Sequence, residues 1–288
     1  MSNLPCNLGI LIALRTWKNE EKRRKEDYSR FWKSMADYGS LAEDYWTSDE
    51  MFRDHFENQT PPFFDLRDSV VVDIGSGSGR VLKMLSRYQP KRLIGVEPSH
   101  GFEVLRNNTR EIANLELVNL PAEKFVLSNK ANVAVSLGVI HHIPNPIDAV
   151  KNIYNQLSEN GTFIMWVYGF ENNRSYVFFQ QFFRKIFRLA PDLVLDRISL
   201  AITYLLDTYL FVSKSLCHSR LPLTIYLNKL FSKCGRLQKK YIVFDQLNPV
   251  YAKYYKKTEV IKLLTEAGFS SIELFHRHSY SWTAIARK

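Results

Sequence analysis

Cysteine is scarce and unpatterned. Cys6, Cys217 and Cys234 form an odd set of three without CxxC spacing, which leaves no foundation for a disulfide framework or a structural zinc site. A reduced, cytoplasmic interior is the expectation. Glycine and proline are also sparse, 12 and 11 of 288 residues, and the rest is 45% apolar and 24% charged, which excludes a collagenous or low-complexity disordered chain. Long uncharged apolar runs are missing too. Leu8 to Leu14 has no basic segment before it and runs into Lys18, Glu20, Glu21, Lys22, Arg23 and Arg24, the wrong flanks for a secretory leader. Leu193 to Ser213 is interrupted by Asp196, Arg197 and Asp207, so neither stretch reaches the roughly 18 residues of a spanning helix. The expectation is a soluble protein, at most peripheral to a membrane, made of one large domain with an insertion or of two modest ones.

What the chain does have is positive charge, and it is concentrated. The formal net charge is +10, and Glu171 to Lys256 holds 14 Lys/Arg against 5 Asp/Glu, so +9 falls within 86 residues. The same window carries 16 of the 39 aromatic residues, with Tyr176, Phe178, Phe179, Phe182, Phe183 and Phe187 interleaved with Arg184, Lys185 and Arg188. One reading is a surface for an anionic membrane face or a phosphorylated lipid or sugar. The other is a helical lid whose aromatics form its own core and whose cations are solvated. No helix-turn-helix, RNP-like or zinc-finger pattern accompanies the charge, so nucleic acid is the disfavoured partner.

Along the chain, residues 1–60 read as an aromatic-rich helical segment, with Trp17, Phe31, Trp32, Tyr45 and Trp46 available for packing. After Pro61 and Pro62, buried strands alternate with helices. Strands are expected at Ser69–Ile74, Arg92–Val96, Leu115–Asn119, Ala131–Leu137 and Thr162–Val167. Helices are expected at Arg80–Tyr88, His100–Ile112 and Pro146–Leu157. That alternation specifies an α/β fold with a parallel sheet. A helix at Glu259–Ala267, stopped by Gly268, then leads into strands Ser270–His276 and Ser281–Ala286, a terminal antiparallel hairpin. The divisions are 1–60, a core over 61–169, a basic helical insertion over 170–256, and 257–288 completing the core.

The sharpest local signal is Val71-Val72-Asp73-Ile74-Gly75-Ser76-Gly77-Ser78-Gly79, a strand running through glycines into a helix. Such a corner turns tightly, lets a ligand approach the backbone and offers free N–H groups to an anion. Leu93-Ile94-Gly95-Val96-Glu97 is a second strand ending in an acid, 18 residues after Gly79. A carboxylate there can accept bonds from both ribose hydroxyls. The sixth position from Gly75 is Arg80 and an acid precedes the loop, so the spacing is D-x-G-x-G-x-G and departs from the dinucleotide GxGxxG.

In this pattern the sequence resembles the class I S-adenosylmethionine-dependent methyltransferases. Val118-Asn119-Leu120-Pro121-Ala122-Glu123, Ser136 to Pro144 and Leu157 to Gly161 are similar to that family's segments after the third strand, along the fourth, and before the fifth. The resemblance implies a Rossmann-like methyltransferase sheet with a terminal antiparallel hairpin and an inserted helical lid, and S-adenosylmethionine as cofactor. It implies cofactor contacts from Asp73, Gly75, Ser76, Gly77 and Gly79, from Glu97 and Pro98, from Ala122 and Glu123, and from Ser136 and Leu137. Pro121 stands where the family often has an acid, so only the Ala122 backbone and, more loosely, Glu123 carry over.

Methyl transfer to a hydroxyl calls for a base, and His is suited to that near neutral pH. His142 is the first candidate and His141 the second; His276, His278, Glu171 and Asp245 are outlying ones. Tyr168 to Asn173 and Asp245 to Pro249, at the two ends of the insertion, are similar to methyltransferases of bacterial surface-glycan assembly. This favours O-methylation of a sugar or lipid-linked glycan. Methylation of a quinone-like lipid, a nucleotide-dependent oxidoreductase and a non-catalytic protein of the same fold are the alternatives.

Overall fold

The computed structural model describes residues 53–55, 65–99, 101–187, 190, 192–216, 224–231, 234–247 and 252–288. Trp17, Phe31, Trp32, Tyr45, Trp46 and Arg188 lie outside these residues, and Arg184, Lys185 and Asp245 are described for backbone only.

Strand β1 (Val70–Ile74) is buried along nearly its whole length. Its apolar run, interrupted only by Asp73, fits a strand covered on both faces. It leads into α1 (Arg80–Ser86), β2 (Arg92–Val96), α2 (Phe102–Asn108), β3 (Leu115–Val118) and β4 (Ala131–Leu137). A short 3-10 turn (Ile140–His142), α3 (Pro146–Gln156) and β5 (Leu157–Tyr168) follow. After a helical insertion come α8 (Lys257–Ala267), β6 (Ser271–Arg277) and β7 (Ser281–Arg287). The seven strands run in the order β3-β2-β1-β4-β5-β7-β6. β1 to β5 are parallel, and β7 lies antiparallel between β5 and β6, with Thr162 opposite Arg287 and Tyr168 opposite Ser281. The expected α/β sheet with its closing hairpin is therefore present. Connections leave β1 in one direction along the sheet and β4 in the other, so the carboxyl ends of these two strands flank the crevice where ligands bind in such folds.

Apolar side chains fill both faces. Ile74, Ile94, Phe125, Ile153, Phe163 and Leu264 pack on one side, and Val71, Leu82, Leu85, Leu93, Leu105 and Ile285 on the other. The main departure from the expected elements is β5, which starts at Leu157 instead of Thr162. The turn read at Leu157 to Gly161 exists as an interruption inside the strand. The partner of Ala131 is Leu157 and that of Val133 is Thr162, while Asn160 adopts φ 60°. α8 ends as expected at Gly268, whose φ of 111° suits a glycine cap.

The described part of the insertion consists of α4 (Arg174–Phe187), α5 (Asp192–Leu216), α6 (Thr224–Phe231) and α7 (Arg236–Leu247). α5 and α7 meet through Leu195, Val243, Phe244 and Leu247. Both ends of the insertion are clamped to the sheet. The Tyr255 N–H donates to Tyr168 O at 2.8 Å, and the Phe170 N–H donates to Tyr255 O at 2.9 Å. Among the described residues, no helix is long and apolar enough to cross a membrane.

Candidate active site

The glycine loop closes on the neighbouring strand ends. Gly75 has φ 76°, and a Cβ there would come within 2.4 Å of Val139, just past β4. Glycine is required at that point both by the left-handed backbone and by the close approach. The Gly77 N–H donates to Glu97 Oε2 at 2.8 Å, and the Ser99 N–H donates to Glu97 Oε1 at 2.9 Å. Asn119 at the end of β3 donates to Glu97 O at 2.7 Å. The tips of β1, β2 and β3 are thus locked around a buried carboxylate. Each oxygen of that carboxylate takes one backbone N–H and retains lone-pair capacity for a further donor.

Asp73 is buried at the same end of β1. Burial pushes its carboxyl up to about 7, against the pull of the Ser76 hydrogen bond and the Arg80 charge, with Glu97 adding to the rise. Its Oδ2 has no hydrogen-bond partner among the described residues. An unpartnered buried carboxylate oxygen favours a donor or cation beside it. Together with the open lone pairs of Glu97, it gives the crevice the donor and acceptor pattern that fits an ammonium or sulfonium group and a ribose. Asp73, Gly75, Gly77 and Glu97 are brought together as the sequence reading expected.

The remaining expected contacts are spread more widely. Ser76 donates from Oγ to Asp73 O at 3.0 Å. Ser136, fully buried, donates to Ile74 O at 3.2 Å, so its hydroxyl ties β4 to β1. Leu137 is buried at the end of β4, Pro98 is exposed beyond β2, and Glu123 is exposed. Ala122 is buried, and its carbonyl accepts from Asn152 at 2.9 Å, leaving its N–H as the group to consider. Gly79 is the left-handed N-cap of α1, φ 91°.

The two histidines separate in burial. His141 is fully buried, its ring centroid 3.9 Å from that of Tyr168 and 4.3 Å from that of His142. That burial leaves it no exposed surface, in contrast to its neighbour. His142 is half-buried and lies 6.1 Å edge-on to Tyr168.

Around this pair is an aromatic cluster that the sequence reading did not assemble. Trp166 and Tyr168 lie two residues apart on β5, hence on one face, and Tyr168 stacks on Tyr254 at 5.3 Å. Gln246 of α7 donates to Tyr168 Oη at 3.0 Å, Tyr176 of α4 donates to Gln246 Oε1 at 2.9 Å, and Tyr254 donates to Gln180 Oε1 at 2.8 Å. The insertion is therefore hydrogen-bonded to the carboxyl end of β5, beside His142. The period-two pattern of β5 was the available signal; the glutamines left none.

Three of the outlying candidates, Glu171, His276 and His278, have partners on neighbouring elements. Glu171 accepts the Lys257 N–H at 2.8 Å and Trp282 Nε1–H at 3.1 Å, clamping the insertion. His276 stacks on Trp282 at 4.1 Å. The His278 ring nitrogen lies 2.6 Å from Asp54 Oδ1. Asp54 also pairs with Arg277, and Arg277 Nε–H donates to Asp54 O at 2.7 Å. Burial would raise the Asp54 carboxyl, but the His278 bond and the Arg277 charge hold it at about 2. The backbone around Asp54 is thereby fastened to the hairpin. Arg277 also faces the Trp166 ring at 5.8 Å.

Comparison with known proteins agrees with this geometry. Residues 49–183 match the model of a methyltransferase domain. The tRNA U34 carboxymethyltransferase of Aliarcobacter butzleri is 30% identical over 112 residues, 38% of this chain and 36% of that protein. The tRNA U34 carboxymethyltransferase of Desulfotalea psychrophila is 26% identical over 150 residues, 50% of this chain and 45% of that protein. The chain thus spans less than half the length of these two relatives. In three dimensions it resembles an S-adenosylmethionine-dependent methyltransferase of Thermotoga maritima, with a TM-score of 0.50 at 14% identity over 92% of this chain and 99% of that one. The pyocyanin biosynthetic protein PhzM gives a TM-score of 0.50 at 13% identity, over 83% of this chain and 55% of that one. With the D-x-G-x-G-x-G loop, the acid at the tip of β2 and the antiparallel β7 all in place, residues 49–183 carry a methyltransferase domain, on a sheet with the Rossmann-like methyltransferase fold.

Proposed function

We propose that this chain methylates a hydroxyl of a sugar or of a lipid-linked glycan, with His142 as the base. The observation that carries the reading is the placement of His142. It is half-buried, set against His141 and Tyr168, and three residues past Val139, which touches Gly75 of the glycine loop. When bound, S-adenosylmethionine supplies a methyl carbon made electrophilic by the sulfonium, which leaves as a neutral thioether. Asp73, the backbone of Gly75 and Gly77, and Glu97 would hold it. His142 takes the proton of the attacking hydroxyl, and the ring faces of Trp166, Tyr168 and Tyr254 give a flat apolar wall against which a sugar can be oriented and water excluded.

A second reading comes from the relatives named for tRNA U34 carboxymethylation. Their similarity withdraws the argument against nucleic acid, since a chain sharing this core needs none of the DNA- or RNA-binding motifs that were sought. A carboxymethyl donor, however, carries an additional carboxylate that a cation must balance. Arg277, which faces Trp166, is paired with Asp54. Lys253, whose N–H donates to His141 O, is paired with Glu259 at 2.9 Å. This favours plain methyl transfer.

The test has two stages. Calorimetry is expected to give micromolar binding of S-adenosylmethionine and its demethylated product and none of NADH; absence of binding would overturn the cofactor reading. Transfer of labelled methyl is then compared over a bacterial lipid-linked glycan extract, a quinone fraction and bulk tRNA. Label in the glycan is expected, and label confined to tRNA or quinone overturns the acceptor. The His142→Ala variant should lose about 10²- to 10⁴-fold in kcat while cofactor affinity is unchanged.

A further inference from the structure

α5 is apolar on its outer side as well as its inner one, where Leu195 and Leu210 are buried. Its inward positions include Ser199, Thr203 and Ser213, all fully buried. Thr203 and Ser213 satisfy their hydroxyls on the helix itself, by donating to Ser199 O and Leu210 O, while Ser199 Oγ has no partner among the described residues. Its outward positions carry Leu193, Val194, Tyr204, Leu205, Phe211 and Val212, with Leu205 69% and Phe211 72% exposed. At 3.6 residues per turn these six fall within an arc of about 120°, and from Leu193 to Phe211 the stripe is about 27 Å long. A globular protein places such residues the other way round, and an apolar stripe of this extent marks a docking surface.

We propose that this face of α5 seats on the interface of an anionic bilayer, with the helix lying in the membrane plane. Charge decides the occupant. The segment Glu171 to Lys256 carries +9 of the net +10, Arg197 stands exposed within the stripe, and Lys214 is exposed near its end. The Arg236 guanidinium lies 4.8 Å over the Tyr204 ring at its edge. Aliphatic and aromatic side chains that enter the acyl boundary, with cations beside them for acidic headgroups, form the pattern of an interfacial helix. An RNA surface would use the cations and the ring faces but has no use for Leu193, Val194, Leu205 and Val212. The helix does not cross the membrane, since Asp196 and Asp207 lie within it and are held by Lys240 at 2.5 Å and by Lys239 at 2.6 Å. This inference stands apart from the acceptor proposed above, because it concerns where the insertion rests and is measured without turnover.

The full chain is floated with vesicles of phosphatidylcholine alone and of phosphatidylcholine with phosphatidylglycerol, at low and high salt. The expected result is partition onto the anionic vesicles, weakened by salt, and weakened at least tenfold further in a Leu205→Glu/Phe211→Glu double variant. These positions are exposed, so the double variant should keep its circular dichroism and its affinity for S-adenosylmethionine. A Leu205→Met/Phe211→Met variant should retain partition. Three results would overturn the proposal: no partition onto anionic vesicles, partition indifferent to the double Glu variant, or loss of partition by the Met variant as well. Light scattering that shows a dimer dissolved by the Glu changes, with no vesicle binding, would give the face to a second copy. Bulk tRNA binding lost in the Glu variant, with no vesicle binding, would give it to RNA.

Discussion

Glu97 and Ser199 are both buried polar side chains, one at the carboxyl end of the sheet and one on the inner face of α5. Glu97 takes a backbone N–H on each oxygen, and the loops around it are shaped by that demand. Ser199 keeps a hydroxyl with no partner among the described residues, while leucine and phenylalanine on the same helix face outward. The crevice is organised from within, by hydrogen bonds that only one backbone arrangement satisfies. The insertion is organised toward something outside it. Polar order therefore identifies the chemical centre, and misplaced apolar residues identify the docking side.

The largest test of the comparison is Gly77→Arg. Gly77 has φ 55°, where an L side chain is strained, and arginine would fill the space beside Glu97. Calorimetry should show at least about 100-fold weaker cofactor binding, roughly 2.7 kcal/mol, in a protein that still folds; unchanged affinity would remove the glycine loop from the site. Glu97→Gln comes next. An amide nitrogen cannot accept a backbone N–H, so one of the two loop bonds is broken, at a loss of about 1.5–3 kcal/mol, read as both a lower Tm and a weaker cofactor titration.

Two acids sharpen the contrast through pH. Asp73 is raised to about 7 in the fold from an ordinary 3.8. Its protonated form is favoured in the folded state, so its contribution is full below pH 4 and is lost as the pH rises through 7. Asp54, held at about 2, behaves oppositely: its contribution is present above pH 4 and is lost as the pH falls toward 2. Urea melts across pH 3–8 should show Asp73→Asn removing the decline between pH 4 and 7 and leaving the acid limb in place. Asp54→Ala should lower stability by about 1–3 kcal/mol, because it leaves the buried Arg277 guanidinium without its partner. The smallest effect is expected from Ser199→Ala, a gain of up to about 1 kcal/mol from deleting an unsatisfied hydroxyl. A loss there would mean the inner face of α5 is better satisfied than its geometry indicates.

The legible parts of the molecule are those whose causes are close in sequence. Val70 to Ile74 declares a buried strand by its own side chains, and Gly75 to Gly79 declares a turn. Glu97 is at the expected tip because strand and acid are contiguous. The clamp at Glu171 was not legible because its partners, Lys257 and Trp282, are 86 and 111 residues away. His141 and His142 are adjacent and chemically identical in the sequence. Only the packing of Tyr168 and Trp166 around His141, with His142 merely edge-on to Tyr168, divides a buried ring from a half-buried one. The insertion resisted for a different reason: it is apolar on several faces, so periodicity could assign helices without saying which side turns inward.

Strand β7 adds a constraint of another kind, on synthesis. It lies between β5 and β6, pairing along the whole of Thr162 to Tyr168 on one side and Ser271 to Arg277 on the other. As the chain leaves the ribosome, the β5 edge stays unpaired until residue 287 has emerged, through more than a hundred residues that include the greasy face of α5. A half-made chain is thus adhesive at both its sheet edge and its insertion. A chaperone, or early capture of α5 by the bilayer it is proposed to serve, would cover these surfaces until β7 arrives.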